Sequence, residues 1–238
     1  MRLVYLPLII TIVCGCNHKK HTADPSVVKP TVSPKEPYSS VKSGINKNRE
    51  RFASRYFQSD LAGKNQIQKE ITNFWINNLG DSVYNYWYGT PWDFNGTTSI
   101  PKEGTIACGY FVTAVLQDMG VQLQRTKLST CASSQMMRTL VPDQRIQNLS
   151  RMSYDEFVNT LKQDENSVYI IGLDFHTGIL IKDDKDLWFM HANYINRRGV
   201  VKEPALSSAA LKYSKTRWVV NLTSDRVFIE KWLKGTKI

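Results

Sequence analysis

Apolar positions recur at helical spacing through the first half of the chain and at strand spacing through the second. Phe52, Tyr56 and Phe57 open the helical pattern, and Ile67, Ile71, Phe74, Trp75 and Leu79 continue it as a stripe. Gly80 is placed to end that second helix. A loop carrying Gly89, Pro91, Asn95, Gly96 and Pro101 follows, then a helical segment from about Ala107 to Met119 closed by Gly120. Ser153 with Glu156 three residues on, ahead of Phe157, Val158 and Leu161, predicts a capping box and a further helix. Beyond it the period shortens. Ser167 to Leu173, Thr177 to Lys182, Leu187 to His191 and Arg217 to Leu222 are β-prone runs bounded by turn residues such as Asn166 and Asp183-Asp184. Helices first and strands second predict an α+β domain with an antiparallel sheet.

The N-terminus is patterned differently. Arg2 precedes an apolar run, Leu3 to Val13, which ends at Cys14, Gly15 and Cys16. A bilayer span takes about 20 apolar residues, so this run is too short for one and reads as a secretory signal. The segment VCGC resembles the lipobox of bacterial lipoproteins, which implies cleavage after Gly15 and a lipid on Cys16. An ordinary signal peptide with an incidental cysteine is the alternative. Next comes a stretch with Pro25, Pro30, Pro34 and Pro37 and no apolar period, which reads as an extended linker. The expected division is a signal over 1–15, a linker over 16–44 and one folded domain over 45–238.

Charge adds a partner class. Lys and Arg number 31 against 21 Asp and Glu, a net charge of +10. That suits nucleic acid, anionic lipid, or a polymer bearing carboxylates or phosphates. An export signal argues against nucleic acid, and no cysteine pairing of zinc type is present, so neither metal nor cofactor is expected.

The mature domain holds two cysteines, Cys108 and Cys131. They could pair, as exported cysteines often do. Cys108, however, opens a predicted helix, where unpaired N–H groups and the dipole favour a thiolate. Alone it would still read as a core cysteine, since it shares a helical face with Phe111, Val112, Val115 and Met119. Its partners change that. His176 begins one predicted strand and His191 ends the next, and a turn at Asp183-Asp184-Lys185 would pair the strands as a hairpin. The two imidazoles then meet, and one can orient the other as the base for a nucleophile.

The segments TPWDFNG (90–96), IACGYFVTAVLQDMG (106–120), HTGILI (176–181) and FMHAN (189–193) resemble, in that order, the signature of NlpC-type cell-wall cysteine peptidases, a papain-like family. The resemblance implies Cys108 as nucleophile, His176 as general base and His191 as the orienting residue. It also implies a papain-like fold and the hydrolysis of amide bonds in peptidoglycan stem peptides. Two positions depart from the family. Trp92 stands where a tyrosine hydroxyl is usual near the oxyanion, and Ala107 stands where an aspartate is frequent.

Trp87, Tyr88 and Trp92, with Tyr84 and Tyr86, could line a substrate groove or form a core layer. Arg197 and Arg198 could meet a substrate carboxylate or form a solvated turn. Two functions therefore follow from the sequence: a lipid-anchored thiol amidohydrolase, or a catalytically inactive wall- or ligand-binding lipoprotein on the same fold.

Overall fold

The computed structural model describes residues 27–30 and 34–238. The signal region and Cys16 lie outside the described residues.

Helix α1 (Tyr38–Gln58) starts ahead of the expected boundary at residue 45. Tyr38, Val41, Ile45, Phe52 and Tyr56 recur three, four or seven residues apart and pack on the core together. The expected linker is corrected accordingly: residues 38–44 are helical, because their apolar side chains have a surface to bury. Pro37, as N-cap, has the extended backbone that precedes a helix. Val28 is also held, its N–H donating to the Lys202 carbonyl at 2.8 Å and its carbonyl accepting from the Tyr84 hydroxyl.

The Asp60 side chain caps helix α2 (Leu61–Asn77) by accepting from the Gly63 N–H at 2.8 Å. Gly80 does not stop it. The chain widens into a π-helical turn over Asn78–Val83 and runs on into α3 (Tyr84–Trp87). Leu79 and Val83 are buried on this turn, and the Lys202 ammonium donates to the Gly80 carbonyl, a contact that tightening to an α-helix would disturb. The stop falls instead at Gly89, whose φ of +77° suits a residue without a Cβ.

Helix α4 (Cys108–Asp118) occupies the expected segment and ends before Gly120, at φ +86°. Short helices α5 (Arg125–Ser129) and α6 (Ser133–Leu140) follow. Helix α7 (Tyr154–Gln163) carries the expected capping box, with the Ser153 N–H donating to Glu156 at 2.8 Å and the Glu156 N–H to Ser153 at 3.3 Å.

The strands are β1 (Gln147–Asn148), β2 (Ser167–Gly172), β3 (Thr177–Lys182), β4 (Leu187–Asn193), β5 (Gly199–Pro204) and β6 (Trp218–Asn221). They form one antiparallel sheet in the order β1-β6-β2-β3-β4-β5. Helices α8 (Ala209–Tyr213) and α9 (Arg226–Lys234) complete the chain. Ile170, Ile179, Ile181, Met190 and Val220 on one face meet the core that α1, α2, α4 and α9 contribute to. Tyr169, Ile171, Leu180, Phe189 and Val219 on the other meet Phe157, Val158 and Leu161 of α7 and Leu211 of α8. A sheet covered on both faces needs apolar residues at successive positions, as in SVYIIG of β2. The architecture is α+β. No helix among the described residues is long and apolar enough to cross a membrane.

Candidate active site

The site is built where the N-terminus of α4 meets the open end of the β3–β4 hairpin. Ala107 is extended and α4 begins at Cys108, so the thiol sits at the first helical turn. Gly109 lets the neighbouring loop close onto that turn: a Cβ there would lie 2.2 Å from the Ser129 carbonyl oxygen. Cys108 and His176 line one cavity of about 420 Å³, together with Gly109, Cys131, Asp174 and Phe175 among others. Cys131 is a free thiol, as is Cys108, so the two are not paired.

The hairpin forms between the two expected strands, with Ile179 opposite Met190 and Leu180 opposite Phe189. The turn that delivers His176 is anchored at both ends. The Leu173 N–H donates to the His176 carbonyl at 2.8 Å, and Asp174 accepts from the backbone N–H groups of Lys215 (2.8 Å) and Thr216 (2.7 Å). These bonds hold the Asp174 carboxyl below its usual range.

His176 Nε2 lies 2.8 Å from His191 Nδ1, with the rings edge to face at 5.0 Å. Both imidazoles are buried, and Phe189 stacks on His191 at 4.1 Å. This close arrangement depends on Gly178 of β3, which faces Phe189 and His191 of β4. A Cβ there would come within 2.5 Å of Phe189 and 2.9 Å of His191. The glycine of the His-x-Gly segment is thus a requirement of the histidine pair.

Burial governs the protonation of the site. It pushes His176 well below the usual imidazole value, with the neighbouring His191 adding to the effect. Burial also lowers His191, against an opposing pull from Glu203. The Cys108 thiol is pushed up by burial, while the backbone groups of Thr177, Gly109 and Cys108 itself oppose the rise. The helix terminus favours a thiolate, as its position in the sequence suggests, but desolvation outweighs it here. Both shifts favour the neutral forms, thiol and imidazole, over a thiolate and an imidazolium.

The aromatic residues divide. Trp87 is fully buried in α3 with its Nε1 donating to Asp118 at 3.1 Å, so its expected place in a substrate groove is corrected: it is a core residue. Tyr88 is half-buried, packs on the core, meets the Tyr84 ring at 5.7 Å and does not line the cavity. Trp92 does not line the cavity either, but it stands one ring away, 6.2 Å from Tyr194, which in turn lies 5.1 Å from His176. Arg197 and Arg198 belong to a short turn after β4 rather than to the cavity wall.

Two residues at the site escape sequence reasoning. Tyr194 meets His176 edge to face, and burial, then the nearby charge of Asp174, pushes its hydroxyl up. Glu203, on β5, is almost fully buried, with Oε1 3.4 Å from His191 Nε2. No metal-binding cluster occurs among the described residues. A larger groove of about 910 Å³ elsewhere is lined by Asn65, Gln68, Asp164, Asn221 and other polar residues, with neither cysteine nor histidine.

Compared with known proteins, the chain matches no family model, no curated protein and no solved structure.

Proposed function

We propose that this protein is an exported, lipid-anchored thiol amidohydrolase of papain-like fold, similar to the NlpC-type peptidases, that cleaves amide bonds in peptidoglycan stem peptides. The observation that carries the reading is the cavity shared by Cys108 and His176, backed by the 2.8 Å contact from His176 Nε2 to His191 Nδ1. A nucleophile, a base and a third group that orients the base are the parts nucleophilic catalysis requires. A helix packed on an antiparallel sheet supplies the frame.

Nε2 of His176 is engaged by His191, which leaves Nδ1 as the nitrogen for the thiol proton. As the Cys108 sulfur attacks the carbonyl carbon, its proton passes to His176. The carbon–nitrogen bond then breaks, the departing amine takes that proton, and a thioester remains on Cys108. Water attacks the thioester with His176 again accepting a proton, which returns to the sulfur as the acid leaves. The first N–H groups of α4 have no partner within the helix and serve the developing oxyanion. A net charge of +10 draws the domain to a wall polymer rich in carboxylates. Export and the lipid on Cys16 rest on the leader sequence.

Thiol labelling tests the nucleophile. With limiting iodoacetamide at pH 7.5, modification should map to Cys108 ahead of Cys131, and His176→Ala should slow it by at least about tenfold. Equal labelling of the two thiols, unchanged by His176→Ala, overturns the assignment.

A further inference from the structure

We propose that Glu203 is a positioning residue that completes a relay, Cys108–His176–His191–Glu203, and fixes the direction in which both imidazoles carry their protons. The inference rests on the amidase reading for its catalytic meaning, though its structural content stands without it.

Strand β5 pairs with β4 so that Glu203 lies opposite Phe189 and Val201 opposite His191. Phe189, His191, Val201 and Glu203 therefore share one face of the sheet, the face covered by α7 and α8. Glu203 is 2 % exposed, and His191 is completely buried beside it. Neither His191 Nε2 nor Glu203 Oε1 has a full hydrogen bond at their separation of 3.4 Å, and neither has any other partner among the described residues. Two orphaned polar atoms that face each other in a closed site are each other's natural partner, and such bonds often tighten only when substrate binds.

The chemistry of the carboxylate gives the relay its direction. A carboxylate only accepts, so the His191 proton belongs on Nε2, toward Glu203. His191 Nδ1 is then an acceptor and takes the His176 Nε2–H across 2.8 Å. His176 keeps its lone pair on Nδ1, the state that can accept the Cys108 proton. The reversed arrangement would place a proton on His176 Nδ1 and leave the thiol without a base. From the two histidines alone, both directions satisfy the 2.8 Å bond equally. Glu203 breaks the tie.

The other groups around the pair do not replace it. Arg198 acts on His191 with the opposite sign. The hydroxyls of Tyr84 and Tyr154 feel the charge of Glu203 but are engaged with backbone carbonyls, those of Val28 and of Ala205 and Ser208 respectively. Lys202, next in sequence, points to the opposite face, where it meets the Gly80 carbonyl and the rings of Tyr84 and Trp188. When His176 gains a proton, Glu203 is the buried carboxylate in line to balance the charge.

The test has two arms. In the purified wild-type protein at neutral pH, imidazole nitrogen-15 spectra should show both His176 and His191 protonated on Nε2 and bare on Nδ1. A proton on Nδ1 of either ring overturns the proposal, and this readout needs neither substrate nor activity. In the second arm, Glu203→Gln keeps the shape and removes the charge. Iodoacetamide labelling of Cys108 should slow about tenfold at pH 7.5, with the acid limb of its pH profile moved to lower pH. A merely structural glutamate would change thermal stability and leave that profile in place, which also overturns the proposal. If Glu203→Gln fails to fold, the wild-type spectra decide alone. A relay intact by NMR beside a Cys108→Ala protein that still digests cell wall would refute the amidase reading and not the proton direction.

Discussion

At the scale of single residues, the site turns on small side chains and on burial. Gly178 is the clearest case. Adding a methyl group there puts carbon within 2.5 Å of Phe189 and 2.9 Å of His191, so β4 must shift to relieve it. Gly178→Ala should cost about 1–3 kcal/mol, read from urea midpoints, and should slow Cys108 labelling because the histidine pair is displaced. Wild-type labelling in this variant would contradict the packing argument. Burial also gives a pH signature. His176 and His191 both hold protons less readily folded than unfolded. The unfolded chain therefore binds more protons below its own imidazole value, near 6.5, and folding loses stability as pH falls through that value. The urea midpoint should drop between pH 7.5 and pH 5.5, and it should drop less in a His176→Gln protein. A midpoint that is flat over this interval would contradict two buried neutral imidazoles.

At the scale of elements, what the sequence shows is what local pattern can encode. Helix α4 and the β3–β4 hairpin are legible because their apolar spacing, glycine stop and turn residues all act within a few positions. Strand β5 is not. Its GVVKEP places a lysine and a glutamate at buried positions and ends in proline, so local pattern does not mark it as a strand. What makes it a strand is distant: β4 alongside, the Gly80 carbonyl for Lys202 and His191 for Glu203. The missing fourth group of the site follows from the missing strand. Helix α1 shows a different failure. Its stripe from Tyr38 is present in the sequence, yet the prolines just before it give the whole stretch the composition of a linker. Tyr38→Phe separates the two readings, since the Tyr38 hydroxyl donates to the buried Asp118 at 2.6 Å. The loss should be about 1–3 kcal/mol by chemical denaturation, whereas an untethered linker would show none. The π-helical turn around Gly80 was hidden for the same reason as β5, because Lys202 arrives from far along the chain.

At the scale of the whole molecule, the parts combine into a frame that carries the Cys108–His176 cavity at a corner. The sheet is buried on both faces, so the hairpin carrying the histidines is held rigidly. The cavity opens where α4 begins, and the thiol and the imidazole reach it from different elements. A net charge of +10 suits that corner to anionic polymers, as the proposed function requires. Of the aromatic cluster that the sequence left between groove and core, Trp87 has gone to the core, while Trp92 remains near the site through Tyr194. Under the proposed function, the Cys108 sulfur carries out amide hydrolysis. Its most direct test is the release of soluble fragments from purified peptidoglycan by wild-type protein and by Cys108→Ala. Fragment release by the wild type, with a fall of roughly three orders of magnitude or more in the variant, is the predicted result. Release at the wild-type rate by Cys108→Ala, or none by the folded wild type, would contradict it.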